Sequence, residues 1–208
     1  AAKILKAAKT ACALTGAGVS KESGVPTFRD AQTGLWAKHD PQKLATRAAF
    51  QQNPKLVWEW YEHRRAMMTG VKPNPGHLAL ADLEKHFPDF AVITQNIDGL
   101  HQVSGVPDDM VIELHGNSTY AKCLDCETRM ELRPILTAFE RDETMPECTA
   151  CGSEYVKTAT ISFGQSMPEM EMRRAEIATN NCDLMIAIGS SLQVYPAACD
   201  NIHQSTHT

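Results

Sequence analysis

Several things are missing from this 208-residue chain, and each absence removes a class of protein. No stretch approaches the ~18 consecutive apolar residues of a membrane-spanning helix. The opening Ala1-Ala2-Lys3-Ile4-Leu5-Lys6 has neither the apolar core nor the small-residue cleavage site of a signal peptide, so a cytoplasmic protein is expected. There is no excess of basic charge: the formal net charge is −5, and a direct nucleic-acid binder would need a basic stripe. No internal repeat or low-complexity tract is present, and a hydrophobic fraction of 43% excludes global disorder. A Ser or Cys nucleophile paired with His is also absent as a pattern. The length suits one large domain, or one domain with a small insert, and it can bury a core without disulfide staples. The seven cysteines therefore read as reduced, in a reducing compartment.

What is present begins with four short apolar runs, 10–15, 90–94, 111–114 and 184–188. They are nearly continuous rather than alternating, as in strands covered on both faces. Helical patterns separate them. One opens at Asn53-Pro54, where Asn can cap and Pro fits the first turn, and runs to about Gly70. A second runs from Asn74-Pro75 to about His86, and a third from Ser166-Met167-Pro168 to about Asn180. The alternation predicts an α/β fold, a Rossmann-like parallel sheet with helices on both faces. Residues 118–160 differ in texture and read as a small inserted module. The expected organisation is 1–117 with 161–208 as the nucleotide-binding domain, and 118–160 as a metal-binding one. Four strands are fewer than the roughly six of a Rossmann sheet, so either the sheet is small or the chain is cut short.

Four of the cysteines form two Cys-x-x-Cys pairs, Cys123/Cys126 and Cys148/Cys151, separated by residues 127–147. Thiolates are soft ligands, and four of them suit tetrahedral Zn²⁺. With no fifth Cys and no His in the window the site is closed, so the zinc should be structural. Four reduced thiols or a redox pair are the alternatives. Cys12, Cys182 and Cys199 remain as scattered core thiols.

The ends of the four apolar runs carry ligand-type residues. Gly16-Ala17-Gly18-Val19-Ser20 follows the first, and glycines there let backbone N–H groups approach a phosphate. Lys21 stands where a dinucleotide fingerprint has its third glycine, so a plain tight turn is an open alternative. Gln95-Asn96-Ile97-Asp98 follows the second; these amides and the carboxylate can hold ribose hydroxyls and a carboxamide, or Asp98 can sit in the first turn of a helix. His115 ends the third, where an imidazole can serve as a general base near neutral pH. Gly189-Ser190-Ser191 ends the fourth. Four such ends on one sheet edge are better evidence than any one motif.

Together with Gly24-Val25-Pro26-Thr27-Phe28-Arg29-Asp30, Leu114-His115-Gly116 and Phe163-Gly164, these motifs resemble, in order, the sirtuin family of NAD-dependent protein-lysine deacylases. The resemblance runs from about residue 10 to about residue 198. It implies NAD as co-substrate and acyl-lysine proteins or peptides as partners. By this resemblance Gly16, Ala17, Gly18 and Ser20 bind the pyrophosphate. Pro26, Thr27, Phe28 and Arg29 lie on a loop covering the nicotinamide ribose. Gln95 and Asn96 contact ribose hydroxyls, and Ile97 and Asp98 hold the carboxamide. Gly189, Ser190 and Ser191 meet the adenosine side. His115 is the catalytic base, with Asn96 beside it, and the products are free lysine, nicotinamide and acyl-ADP-ribose. Phe163 and Gly164 lie on a strand that pairs with the substrate peptide.

Tyr61 and Arg64, three apart on the helix from Asn53, share a face; Arg can fork onto a carboxylate and Tyr can add a hydrogen bond. A similar Tyr-x-x-Arg pair marks the sirtuins that remove succinyl and malonyl groups, so activity on acidic acyl-lysines is expected alongside acetyl-lysine. The alternative is a surface base beside Arg65 and a core Tyr. Two features depart from the family. Gln165 replaces the usual Glu, and the two strands, Asn-containing turn and final helix that a sirtuin carries next do not appear before Thr208. Competing functions are an NAD-dependent ADP-ribosyltransferase or glycohydrolase, and a catalytically impaired, C-terminally truncated NAD-binding module. A zinc-ribbon nucleic-acid binder is disfavoured by the acidic residues around the Cys pairs.

Overall fold

A computed structural model describes residues 2–26, 40–142 and 144–192. Its helices are α1 (Ala2–Ala7), α2 (Pro41–Leu44), α3 (Arg47–Gln52), α4 (Pro54–Met67), α5 (Pro75–Glu84), α6 (Leu100–Val103), α7 (Leu132–Asp142) and α8 (Glu169–Asn181). Its strands are β1 (Ala11–Thr15), β2 (Phe90–Thr94), β3 (Val111–Glu113), β4 (Gly116–Cys123), β5 (Arg129–Glu131), β6 (Val156–Thr160) and β7 (Leu184–Ile188). The chain packs as two units. Unit 1 is residues 1–27, 71–115 and 167–208; unit 2 is 28–70 and 116–166.

Unit 1 holds a four-stranded parallel sheet in the order β3-β2-β1-β7, made from the four expected runs. Successive residues of β1 serve opposite faces. Ala11 and Ala13 pack with Val92, Leu80 and Ala81 of α5 on one side. Cys12 and Leu14 pack with Ile93, Ile112 and Ala175 of α8 on the other. Every β1 residue is buried, which is why the run shows no alternation. α5 begins with a capping box: the Asn74 side chain accepts from the His77 N–H while His77 Nδ1 accepts from the Asn74 N–H.

Unit 2 holds an antiparallel sheet, β5-β4-β6, with α7 on β4. The sequence grouped residues 40–70 with the nucleotide-binding sheet; here they pack with the cysteine module. The reason is an apolar core shared by Phe50, Val57 and Trp58 with Ala121, Cys123, Leu136, Phe139 and Val156. Trp58 is fully buried and its indole N–H donates to Val156 O at 3.1 Å, which satisfies the polar tip. A small module cannot bury its own apolar face; α3 and α4 cover it.

Candidate functional site

In a parallel sheet all strand ends of one kind lie on one edge, and the register here is exact: Thr15 pairs with Thr94 and with Ile188, and Thr94 pairs with Glu113. The ladder continues one step into each loop. Gln95 N donates to Thr15 O, Leu114 N to Thr94 O, and Gly16 N to Ile188 O. The loops carrying Gly16, Gln95, His115 and Gly189 thus leave neighbouring strands side by side.

Glycine is needed in these loops because backbone meets backbone. A Cβ on Gly18 would stand 2.8 Å from Gly189 Cα, and one on Gly189, at φ +64, would stand 2.2 Å from Val19 N. The Gly18 N–H donates to Gly189 O at 2.9 Å. The first and last loops therefore clasp each other, and the N–H groups of Gly16 and Gly18 are engaged in that clasp. The remaining short turn of 3₁₀ helix, Ala17–Ser23, starts immediately after Gly16.

Behind the loops lies a buried polar chain. The Ser20 hydroxyl donates to Asp98 Oδ2 at 2.7 Å and accepts from Asn96 Nδ2 at 3.0 Å. Because His77 Nδ1 already accepts from Asn74, its proton is on Nε2, which donates to Ser20 Oγ at 3.3 Å. One proton and two lone pairs exhaust the hydroxyl's capacity. Asp98 Oδ1 accepts from Leu100 N at 3.0 Å, so the carboxylate starts α6 as well as holding Ser20. Asn96 is buried, and its N–H donates to Thr94 Oγ1. A second chain runs from His101 Nε2 to Thr15 Oγ1 and on to Thr94 Oγ1, both at 2.9 Å. His101 Nδ1 is buried with no hydrogen-bond partner. Burial first, then the neighbouring His77 ring at 5.1 Å, pushes the His101 pKa down to about 4.

A backbone carbonyl holds His115, and a hydroxyl holds the Gln95 side chain. His115 Nδ1 lies 2.8 Å from Gln95 O. A carbonyl can only accept, so Nδ1 carries the proton and the neutral ring's lone pair is on Nε2. Burial pulls the His115 pKa below its ordinary value, opposed in part by that hydrogen bond. Ser190 Oγ donates to Gln95 Oε1 at 3.2 Å, while Gln95 Nε2 is buried without a partner. A donor left in this way is costly unless a ligand supplies an acceptor. Ile97 and Pro26 are half-buried and Ser191 is exposed; Thr27, Phe28 and Arg29 lie outside the described residues.

In unit 2 the four Sγ atoms of Cys123, Cys126, Cys148 and Cys151 lie within 4.8 Å of one another, with Cys123–Cys151 at 3.7 Å and Cys126–Cys148 at 3.5 Å. Tetrahedral zinc at ~2.3 Å from each sulfur requires sulfurs ~3.8 Å apart, so the donor set fits the ion. Each pair closes with a left-handed residue, Glu127 at φ 63 and Gly152 at φ 71, and the Asp125 N–H points at Cys123 Sγ at 3.4 Å. These turns bring both sulfurs of a pair to one point.

Tyr61 packs edge-on against Trp58 and tilted against Trp60, with its hydroxyl hydrogen-bonded to Thr158; burial pushes its pKa up to about 12. The Arg64 guanidinium lies 5.6 Å from the Trp60 ring centre, and burial lowers its pKa. Phe163 departs from the expected strand. Its N–H donates to Ala45 O in a single parallel bridge to Thr46, and Gly164 then turns at φ +78. Gln165 makes that turn, donating its N–H to Ser162 O and accepting from Ser162 N through Oε1.

Residues 16–196 match the profile of the Sir2 family. The chain belongs to the Sir2 family. A Ralstonia nicotianae protein named NAD-dependent protein deacylase is 46% identical over 194 residues, covering 93% of this chain and 75% of that protein. A Sir2 homologue solved in complex with NAD superposes with a TM-score of 0.83 at 37% identity, over 94% of this chain and 73% of that one. A Sir2 protein bound to a propionylated peptide superposes with a TM-score of 0.79 at 33% identity, over 95% and 77%. The Sir2 chain described here has buried polar residues outside its motifs, Asn74 and His77, while Thr15, Thr94 and His101 lay at the edges of motifs without a role of their own. The signal for two of them lay in Asn74-Pro75-Gly76-His77, a helix start with an imidazole where a capping box usually has Glu or Gln.

Proposed function

We propose that the strand-end loops of unit 1 hold NAD for the removal of acyl groups from protein lysines, and that Tyr61 and Arg64 extend the accepted groups from acetyl to succinyl and malonyl. The chain is an NAD-dependent protein deacylase. One observation carries the assignment of its site: a buried amide donor, Gln95 Nε2, lacks a partner beside an imidazole whose Nε2 lone pair is set by Gln95 O. A sugar with vicinal hydroxyls supplies both an acceptor for the amide and a proton for the base. NAD, when bound, supplies that sugar together with a leaving group, nicotinamide.

The residues then divide the work. Gln95, anchored by Ser190, orients a ribose hydroxyl. His115 Nε2 takes a hydroxyl proton, and the Gln95 carbonyl steadies the imidazolium that results. Asn96 joins Gln95 at the ribose hydroxyls, and Ile97 and Asp98, the latter locked to Ser20, hold the carboxamide end. The clasp between the loops at Gly16–Gly18 and Gly189–Ser191 shapes the pyrophosphate and adenosine end, while the Gly16 and Gly18 N–H groups stay on Ile188 O and Gly189 O. Zinc in the four-cysteine cluster holds unit 2 together and takes no part in the chemistry. A desolvated guanidinium attracts a carboxylate more strongly than one in water; this supports Arg64 as the reader of an acidic acyl group. No helix among the described residues is long and apolar enough to cross a membrane, and the reduced thiols suit the cytoplasm.

The test is NAD-dependent turnover of paired acetyl- and succinyl-lysine peptides by the parent and by Arg64→Met. Loss of desuccinylation by at least about tenfold in kcat/KM, with deacetylation retained, is expected from losing a charge-assisted pair. Desuccinylation at parental efficiency in Arg64→Met would overturn the acyl assignment.

A further inference from the structure

Cys12 and Cys182 belong neither to the zinc cluster nor to the nucleotide loops, yet unit 1 brings them together from 170 positions apart, with their sulfurs 3.0 Å from each other. That is closer than the hydrogen-bonded sulfurs of the zinc cluster, at 3.5 and 3.7 Å. Cys12 is the second residue of β1 and completely buried. Cys182 follows α8 and is half-exposed. Their backbones are clamped on both sides. Thr10 Oγ1 donates to Asn181 O at 3.1 Å and accepts from Asp183 N at 2.9 Å. Asp183 Oδ2 accepts from Lys9 N at 2.9 Å and from Thr10 N at 3.4 Å. Ala11 pairs with Leu184 in the ladder. A disulfide has sulfurs ~2.05 Å apart, so about 1 Å of side-chain motion separates this dithiol from a bond.

We propose that Cys12 and Cys182 form a redox modification site, a dithiol that a small disulfide of the glutathione class converts reversibly into an intramolecular disulfide. The accessible Cys182 acts first. Its thiol gives up a proton and its sulfur attacks one sulfur of the oxidant; the oxidant's S–S bond breaks and one small thiol departs. The Cys12 sulfur then attacks Cys182 of the mixed disulfide, passing its proton to the departing second thiol. One disulfide is broken and one formed. Two electrons and two protons move from the protein thiols to two molecules of small thiol. Burial pushes the Cys12 thiol well above its ordinary pKa, so it stays protonated until the mixed disulfide is beside it. The bond staples β1 to the junction of α8 and β7, at the ends of β1 and β7 remote from Gly16 and Gly189. Its consequence is stability: the chain closed by the link is long, and such links restrict the unfolded state most.

The experiment exposes the full, zinc-loaded chain to graded ratios of oxidised to reduced glutathione. Free thiols are then alkylated, peptides are mapped by mass spectrometry, and Tm is measured. A peptide linking Cys12 to Cys182 is expected, lighter by two hydrogens, with zinc content unchanged, a rise in Tm of at least about 5 °C, and reversal by dithiothreitol. Cys182→Ser should lack both the linked peptide and the Tm shift. It tests the pair even if Cys12→Ser, altered in the core, fails to fold. Full alkylation of both thiols at the most oxidising ratio would overturn the proposal. So would a stable glutathione adduct on Cys182 with Cys12 still free, or the same Tm shift in Cys182→Ser.

Discussion

Replacing His115 by alanine removes the group whose protonation state the structure defines most tightly. Its Nδ1–H is held by Gln95 O at 2.8 Å, so the unprotonated Nε2 is ready to accept without tautomer exchange. General bases contribute roughly 10²- to 10⁴-fold, so His115→Ala should lower kcat/KM by that factor, about 3–5 kcal/mol of barrier. The pH profile carries the second half of the argument. Burial disfavours the imidazolium and lowers the pKa, with the Gln95 carbonyl opposing. The neutral, active form therefore persists below the ordinary histidine range. In the parent, kcat/KM on an acetyl-lysine peptide should be flat from alkaline pH down through neutrality and fall only below the 6.5 of an ordinary imidazole. In His115→Ala the residual activity should lose that acidic limb. Steady-state kinetics from about pH 5 to about pH 9 checks both. A variant within about threefold of the parent, or one retaining the same limb, refutes His115 as the base.

The other expectations concern stability and the loops. One zinc per chain is expected by elemental analysis, and removing it with a chelator should unfold unit 2, seen as a fall in Tm and loss of near-ultraviolet circular dichroism, because Cys123 and Cys148 sit in the same core as Trp58. Gly189→Ala places a Cβ against Val19 N at positive φ; it should cost more than the ~1–2 kcal/mol of left-handed strain and weaken NAD binding in calorimetry. His101 has an ordinary pKa of 6.5 and a folded value of about 4. The unfolded chain therefore binds the extra proton between these values, and stability should drop as pH falls from 6.5 toward 4, by on the order of 3 kcal/mol in total. Urea midpoints against pH measure the drop, and His101→Asn should flatten it.

How much of this was legible in the residues follows from where the information is stored. β1, β2 and β3 were readable because strands buried on both faces need continuous apolar runs; β7 was readable from the same kind of run, although it is only half-buried with Ala187 exposed. α4 and α5 announced themselves through Asn-Pro starts, whose amide side chains do cap Leu56 and Gly76. The cysteine pairs were readable because a metal demands spacing. β4 was missed, since its eight residues mix burial and polarity along the strand. The packing of α3 and α4 onto the cysteine module was invisible because it depends on Trp58 reaching Val156, a contact between residues 98 positions apart. Ser20, Asn96 and Asp98 were visible as loop residues. The role of His77 behind them was not, because a polar residue inside a helix looks the same whether it faces solvent or completes a buried hydrogen-bond chain.

The most direct test of the whole account is product analysis after incubating the chain with NAD and an acetyl-lysine peptide. Mass spectrometry should find deacetylated peptide, nicotinamide and acetyl-ADP-ribose in equal amounts. Consumption of NAD with the peptide still acetylated, and ADP-ribose either free or attached to protein, would contradict it.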